Sequence, residues 1–191
     1  MTDRSTEALL AGCRRGDEAD LRAFYERYYS YALSVCLAYA ANREDAAEIL
    51  NDGFMKAFHG IGTLQSPDGL LPWLRRIMVN TALNHHRKHR RRRSDVSTEA
   101  IEHRLMEPNL NDEAVYAHLS AEEIIRALQR LPSTYRVVFS LYVLEGYAHR
   151  EIAEQLRIAE STSRAHLTEA NRLLRTLLKN IAPEGYDRLR R

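Results

Sequence analysis

The chain has 191 residues, 45% hydrophobic and 28% charged, with a formal net charge of only +2. That balance excludes a disordered chain and fits a soluble, folded protein of one large or two small domains. No run approaches the roughly 20 apolar residues of a membrane helix, MTDRSTEALLAGCRRGDEAD lacks the apolar core of a signal peptide, and two cysteines are too few for a disulfide framework. The expected setting is the cytoplasm, with Cys13 and Cys36 as reduced core thiols.

Over residues 17–40, Leu21, Phe24, Tyr25, Tyr28, Ala32, Val35, Cys36 and Tyr39 recur at offsets of three and four, the stripe of a buried helix. A turn at Asn42-Arg43 leads to a helix over about 44–59. It buries Ala47, Leu50, Phe54, Ala57 and Phe58 and lines its other face with Asp45, Glu48, Asp52 and Lys56. Residues 60–69, with Gly, Ser and Pro, read as a loop. The next helix begins near Pro67 and turns Leu70, Leu71, Leu74, Ile77, Met78 and Leu83 inward. Its outer face offers Arg76, Asn80, Asn84, Arg87 and Lys88, then runs into His89-Arg90-Arg91-Arg92-Arg93. Beyond Ser94 the periodicity fades and acids dominate, which marks a linker.

A second unit opens on Ser120 and Glu123, spaced as a capping box. Leu131-Pro132 ends that helix and starts another, in which Val138, Leu141 and Leu144 point inward until Gly146 breaks it. A short helix follows with Ile152, Ala153 and Leu156 inward. A tight turn at Arg157-Ile158-Ala159 leads to a long last helix whose inward stripe is Leu167, Ala170, Leu174 and Leu177. This succession reads as a helix-turn-helix, the unit that sets a helix in the DNA major groove. The expectation is an all-α fold. Two helical domains, 1–93 and 119–182, are joined by a flexible acidic linker, 94–118, and followed by a tail, 183–191.

The basic helix carries the clearest chemistry. Arg75, Arg76, Arg87, Lys88 and the arginines to Arg93 repel one another unless an anion meets them, and phosphate does so with counterion release. Asn80 and Asn84 among them carry amides that read base edges. Trp73, the single tryptophan, either stacks on an unpaired base or fills the core. His85, His86 and His89 share a helix, but their neighbours in sequence are cations that oppose a divalent ion, so no metal and no cofactor is expected. Asp45, Glu48 and Asp52 have no paired base or nucleophile, so a docking surface and a solvated face both fit and catalysis does not. In the last helix Arg164, His166 and Arg172 are the groups expected to point outward to DNA.

Three segments, in order, resemble the bacterial sigma-70 superfamily, and in particular its small two-domain extracytoplasmic-function (ECF) members. LRAFYERYYSYALSVCLAYAANREDAAEILNDGFMKAF is similar to region 2 with its aromatic helix and acidic segment. PWLRRIMVNTALNHHRKHRR resembles the promoter-melting helix. LQRLPSTYRVVFSLYVLEGYAHREIAEQLRIAESTSRAHLTEANRLLR resembles region 4. The resemblance implies a transcription initiation factor that is not an enzyme, with core RNA polymerase (β′ clamp helices and β flap), promoter DNA and an anti-sigma factor as partners. It implies that Asp45, Glu48, Asp52 and Lys56 dock on the β′ clamp helices. Trp73, Arg75, Arg76, Asn80, Asn84, Arg87 and Lys88 would open and read the −10 element, the loop at 60–69 would cradle an unstacked base with Asn80, and Ser161, Thr162, Arg164, His166 and Arg172 would read the −35 element. The alternative is a stand-alone helix-turn-helix regulator, which needs a dimer to match a palindromic site.

Several positions depart from the family pattern. Asn51, Asp52 and Gly53 replace a usual Gln-Glu-Thr/Ala run, and Asn84 replaces an Asp. Arg157 stands where a turn glycine is usual, predicting a left-handed residue strained by roughly 1 kcal/mol. Ala159 replaces a Ser cap, so Ser161 is expected to cap instead, and Ser163 is expected to bond back to a carbonyl. Thr168-Glu169-Ala170-Asn171 lacks the customary arginines, predicting a less cationic −35 face.

Overall fold

The computed structural model describes residues 5–93 and 120–181; the expected linker, 94–118, and tail, 183–191, lie outside the described residues. Among the described residues there are eight α-helices and no strand. The chain divides into two compact units, Met1–His85 and His86–Arg191.

The first unit contains α1 (Thr6–Arg15), α2 (Glu18–Leu37), α3 (Arg43–Gly60) and the start of α4 (Leu70–Arg93), with short 3-10 turns at Ile61–Thr63 and Pro67–Gly69 between the last two. Each of the first three helices starts on a side-chain cap. Ser5 accepts from the Ala8 N–H, Asp17 from those of Ala19 and Asp20, and Asn42 from that of Asp45 at 2.7 Å. The core is aromatic. Phe24 is fully buried and meets Phe54 edge-on at 6.3 Å, while Tyr25 leans on Phe54 at 4.6 Å.

α2 ends at Leu37, earlier than its apolar stripe suggested, because Tyr39 and Ala40 are buried in the turn that follows. The inward face of α3 is also displaced from expectation. Ala46, Ile49 and Gly53 are buried with Leu50, Phe54 and Ala57, whereas Ala47 and Phe58 are only half-buried. Gly53 explains the shift: a Cβ there would overlap the Met78 sulfur, so α4 packs closely on a face that shows no apolar side chain in sequence. On α4 itself Leu71 is 44% exposed and Ile77 half-buried, while Val79, Thr81 and Ala82 join Leu70, Leu74, Met78 and Leu83 inside. Cys13 and Cys36 are free and buried. Burial, with Asp20 and Asp17 adding for Cys13, pushes their pKa values up to about 11 and about 12, so both stay as inert thiols.

The second unit contains α5 (Ala121–Arg130), α6 (Ser133–Phe139), a π turn (Ser140–Leu144), α7 (His149–Leu156) and α8 (Glu160–Ile181). The capping box forms: the Glu123 N–H donates to Ser120 Oγ at 3.3 Å, and the Glu123 carboxylate accepts from the Ser120 N–H at 2.8 Å. Arg136 is buried, and its Nη1 donates to the carbonyls of Gln129 and Leu131 at 3.1 Å and of Leu128 at 3.4 Å. It thereby satisfies the open end of α5, which Pro132 prevents from continuing. In the π turn the Glu145 N–H reaches back five residues to the Ser140 carbonyl. The wider turn rotates Leu144 out to 39% exposure, where regular helix would have kept it beside Leu141.

Arg157 has φ 54° and ψ 52° and ends α7 in the left-handed conformation expected of it. Ala159 precedes the first residue of α8, and Ser161 lies inside that helix, past the position from which it could cap. The α8 stripe is Leu167, Ala170, Leu174 and Leu178; Leu177 is half-buried, displaced by drift of the stripe around the helix.

Candidate nucleic-acid interface

Periodicity and burial together decide what α4 presents. Turning Leu74, Met78 and Leu83 inward leaves Arg76, Asn80, Asn84, Arg87 and Lys88 exposed, while Arg75 is half-buried. Trp73 is half-buried as well, with its ring edge 3.7 Å from where a Cβ on Gly60 would stand. It is neither a core residue nor an open platform. Its indole packs beside the entrance of the loop at 60–69. That loop is anchored by buried Ile61 and Leu64 and leaves Gly62, Thr63 and residues 65–68 exposed.

The face of Asp45, Glu48, Asp52 and Lys56 does not stand free as one row. Lys56 Nζ donates to Thr81 Oγ1 at 3.0 Å, and Glu48 Oε2 lies 3.5 Å from His85 Nε2, so both reach across to α4. The expectation that the histidines have only cationic neighbours therefore fails at His85, whose carboxylate neighbour comes from another helix. No group of three metal-ligating side chains occurs among the described residues. Asp52 remains exposed, Asp45 is half-buried, and Met55, which the sequence did not single out, is 56% exposed beside them.

In the second unit, α8 exposes Ser161, Arg164 and Arg172, with Thr162 half-buried. Both arginines are held by acids of their own helix. Arg164 pairs with Glu160 four residues back, and Arg172 donates to Glu169 through Nε at 3.0 Å and Nη2 at 2.5 Å. His166 does not point outward as expected: it is half-buried against Tyr135, ring centroids 5.3 Å apart, because its flank of α8 meets α6. Ser163 does not bond back to its own helix either. It is buried and meets His149 Nδ1 at 3.0 Å. His149 stacks on Tyr142 at 4.6 Å, and its burial, then the nearby Arg164, hold its pKa below the ordinary 6.5. Sequence periodicity carries no signal for such a cross-helix pair.

The geometry defines a class: among the described residues, a helical fold in which a long basic helix is followed in the chain by a helix-turn-helix. A family model for sigma-70 region 2 matches residues 24–92, and one for sigma-70 region 4 matches residues 121–174, more than half of the chain between them. The chain belongs to the sigma-70 family. It is 24% identical to the RNA polymerase sigma-H factor of Pseudomonas aeruginosa, spanning 97% of this chain and 100% of that one. It is 27% identical to the sigma factor SigV of Bacillus subtilis over 92% of this chain and 94% of that one. The ECF sigma-E factor of Haemophilus influenzae is 25% identical over 91% and 96%. Among solved structures, the sigma factor RpoE of Bartonella quintana, crystallised with the anti-sigma factor NepR, is similar at a TM-score of 0.47 and 21% identity, covering 84% of this chain and 97% of that chain. The chain is accordingly a transcription initiation factor of ECF sigma type, which directs RNA polymerase to promoters. A stand-alone regulator would not require the region 2 unit.

Proposed function

We propose that the two units divide promoter recognition between them. Residues 1–93 bind core polymerase and read and melt the −10 element, and residues 119–182 read the −35 element, with 94–118 as the tether. Asp45, Glu48 and Asp52 dock on the β′ clamp helices with Met55 as an apolar anchor, and Lys56 braces α3 against α4 behind them. Trp73, Arg75, Arg76, Asn80, Asn84, Arg87 and Lys88 take the opened −10 strand, phosphates by the cations and base edges by the amides. The loop at 60–69 receives an unstacked base. Ser161, Thr162, Arg164 and Arg172 face the −35 groove; His166 acts behind them by fixing α8 against Tyr135. The exposed Tyr142, Val143 and Leu144 offer an apolar step for the β flap. The protein works in the cytoplasm, without a cofactor and with no bond chemistry of its own, and an anti-sigma factor covers its polymerase-binding faces.

The observation that carries this reading is the row Arg76, Asn80, Asn84, Arg87 and Lys88, exposed along one helix that matches region 2. The test is transcription by core polymerase from a library randomised at both elements, with sequencing of the RNA 5′ ends. Initiation at sites sharing one −10 and one −35 sequence is expected. No association with core polymerase at low ionic strength, without any inhibitor, overturns the proposal.

A further inference from the structure

We infer that Arg14, on α1, is a positioning residue that sets the shape of the base-receiving loop at 60–69 and thereby the base preference within the −10 element. The inference rests on the proposed role of that loop. The loop must hold one shape to discriminate bases, yet most of its ties are local. Thr63 Oγ1 donates to the Gly60 carbonyl at 2.7 Å, the Asp68 N–H to Ser66 Oγ at 3.3 Å, and the Leu64 N–H to the Ile61 carbonyl at 3.4 Å. Between the two 3-10 turns the backbone is extended, with ψ 113° at Leu64 and 143° at Ser66. Helical hydrogen bonding therefore lapses between the two turns, over residues 64–66.

At that point Arg14 intervenes. Its Nη2 donates to the Leu64 carbonyl at 2.8 Å, a tie between residues 50 apart in sequence. The donor is a full charge, so the bond is of the stronger, charge-assisted kind. The Leu64 side chain is buried while its carbonyl is gripped from outside, which pins that residue on both sides. α1 packs along both 3-10 turns, and its Leu9, Leu10 and Cys13 are buried. Arg14 itself is exposed, so it fills no core space. It also precedes the residues matched by the region 2 model, 24–92. The tie thus comes from outside the segment that carries the rest of the proposed −10 machinery.

The test uses holoenzyme reconstituted with the full chain and the same randomised library, comparing the parent with Arg14→Ala and Arg14→Lys. Arg14→Ala is expected to lower the enrichment of the preferred base at one −10 position about tenfold, the order of discrimination that one good base-edge contact supplies. Preferences in the −35 element and affinity for core polymerase stay at parental values. Arg14→Lys, which keeps one charged donor, restores most of the preference; a core-packing role would show no such rescue. An unchanged −10 preference in Arg14→Ala overturns this assignment alone, as does a uniform loss at both elements together with core affinity. A parent holoenzyme without any −10 preference overturns the proposed function as well.

Discussion

The two helices assigned to DNA bear similar charged residues and dispose of them in opposite ways. On α4, Arg76 and Lys88 stand exposed with Asn80 and Asn84 between them. On α8, Arg164 and Arg172 each clasp a glutamate of the same helix. A phosphate approaching α8 must displace a carboxylate before it gains an arginine, against surface pairs worth about 0.2–1 kcal/mol each. Among the described residues, a phosphate approaching α4 meets no such competitor at Arg76 or Lys88. The contrast assigns most of the salt-sensitive attraction to α4, and to α8 the geometric reading of a short duplex element.

The comparison is broken most severely by Phe24→Ala. It removes a fully buried ring in contact with Tyr28, Phe54 and Phe58, at an expected cost of about 3–5 kcal/mol. Hydrogen exchange should show faster opening in the first unit with the second unchanged; equal loss in both would deny that the units are separate. Next, Arg76→Ala with Lys88→Ala should weaken promoter binding by holoenzyme about tenfold and lower the slope of log affinity against log salt by about 1.5. Arg164→Ala with Arg172→Ala should lower that slope by less, and an equal drop would erase the distinction. A smaller effect of opposite sign is expected for Glu160→Gln with Glu169→Gln: release of both arginines should raise affinity about threefold, at the scale of two surface pairs, measured by fluorescence anisotropy at low salt. Smallest is Arg157→Gly, which relieves the left-handed backbone and should stabilise the second unit by about 0.5–1 kcal/mol in thermal unfolding.

How far such features could be read from sequence depended on whether side chains or backbone carry them. The Ser120–Glu123 box followed from local spacing and the left-handed Arg157 from the family pattern, and both stand as expected. The inward face of α3 did not, because a pattern of apolar side chains cannot register Gly53, whose contribution is the absence of one. Leu144 was misread for a related reason: a π turn changes the period itself, and the period was the only evidence. On the candidate interface, α4 was legible because one long helix shows its exposed face through simple spacing. His166 and the Glu48–His85 contact were not, since both depend on which other helix lies alongside. Arg14 gave no signal at all: its partner is a backbone carbonyl, which every residue has.

The π turn at Ser140–Leu144 has one more consequence, for how such a chain tolerates length change. Its surplus residue acts as a phase offset between α6 and the helix-turn-helix after it. Excising one residue there would let ordinary winding resume and swing α7 and α8 by about 100° about the axis of α6. Ile152, Leu167 and Leu174 would then face away from Val138 and Leu141. A deletion tolerable in an exposed loop would here uncouple the recognition helix from its support, with every contacting side chain still in place.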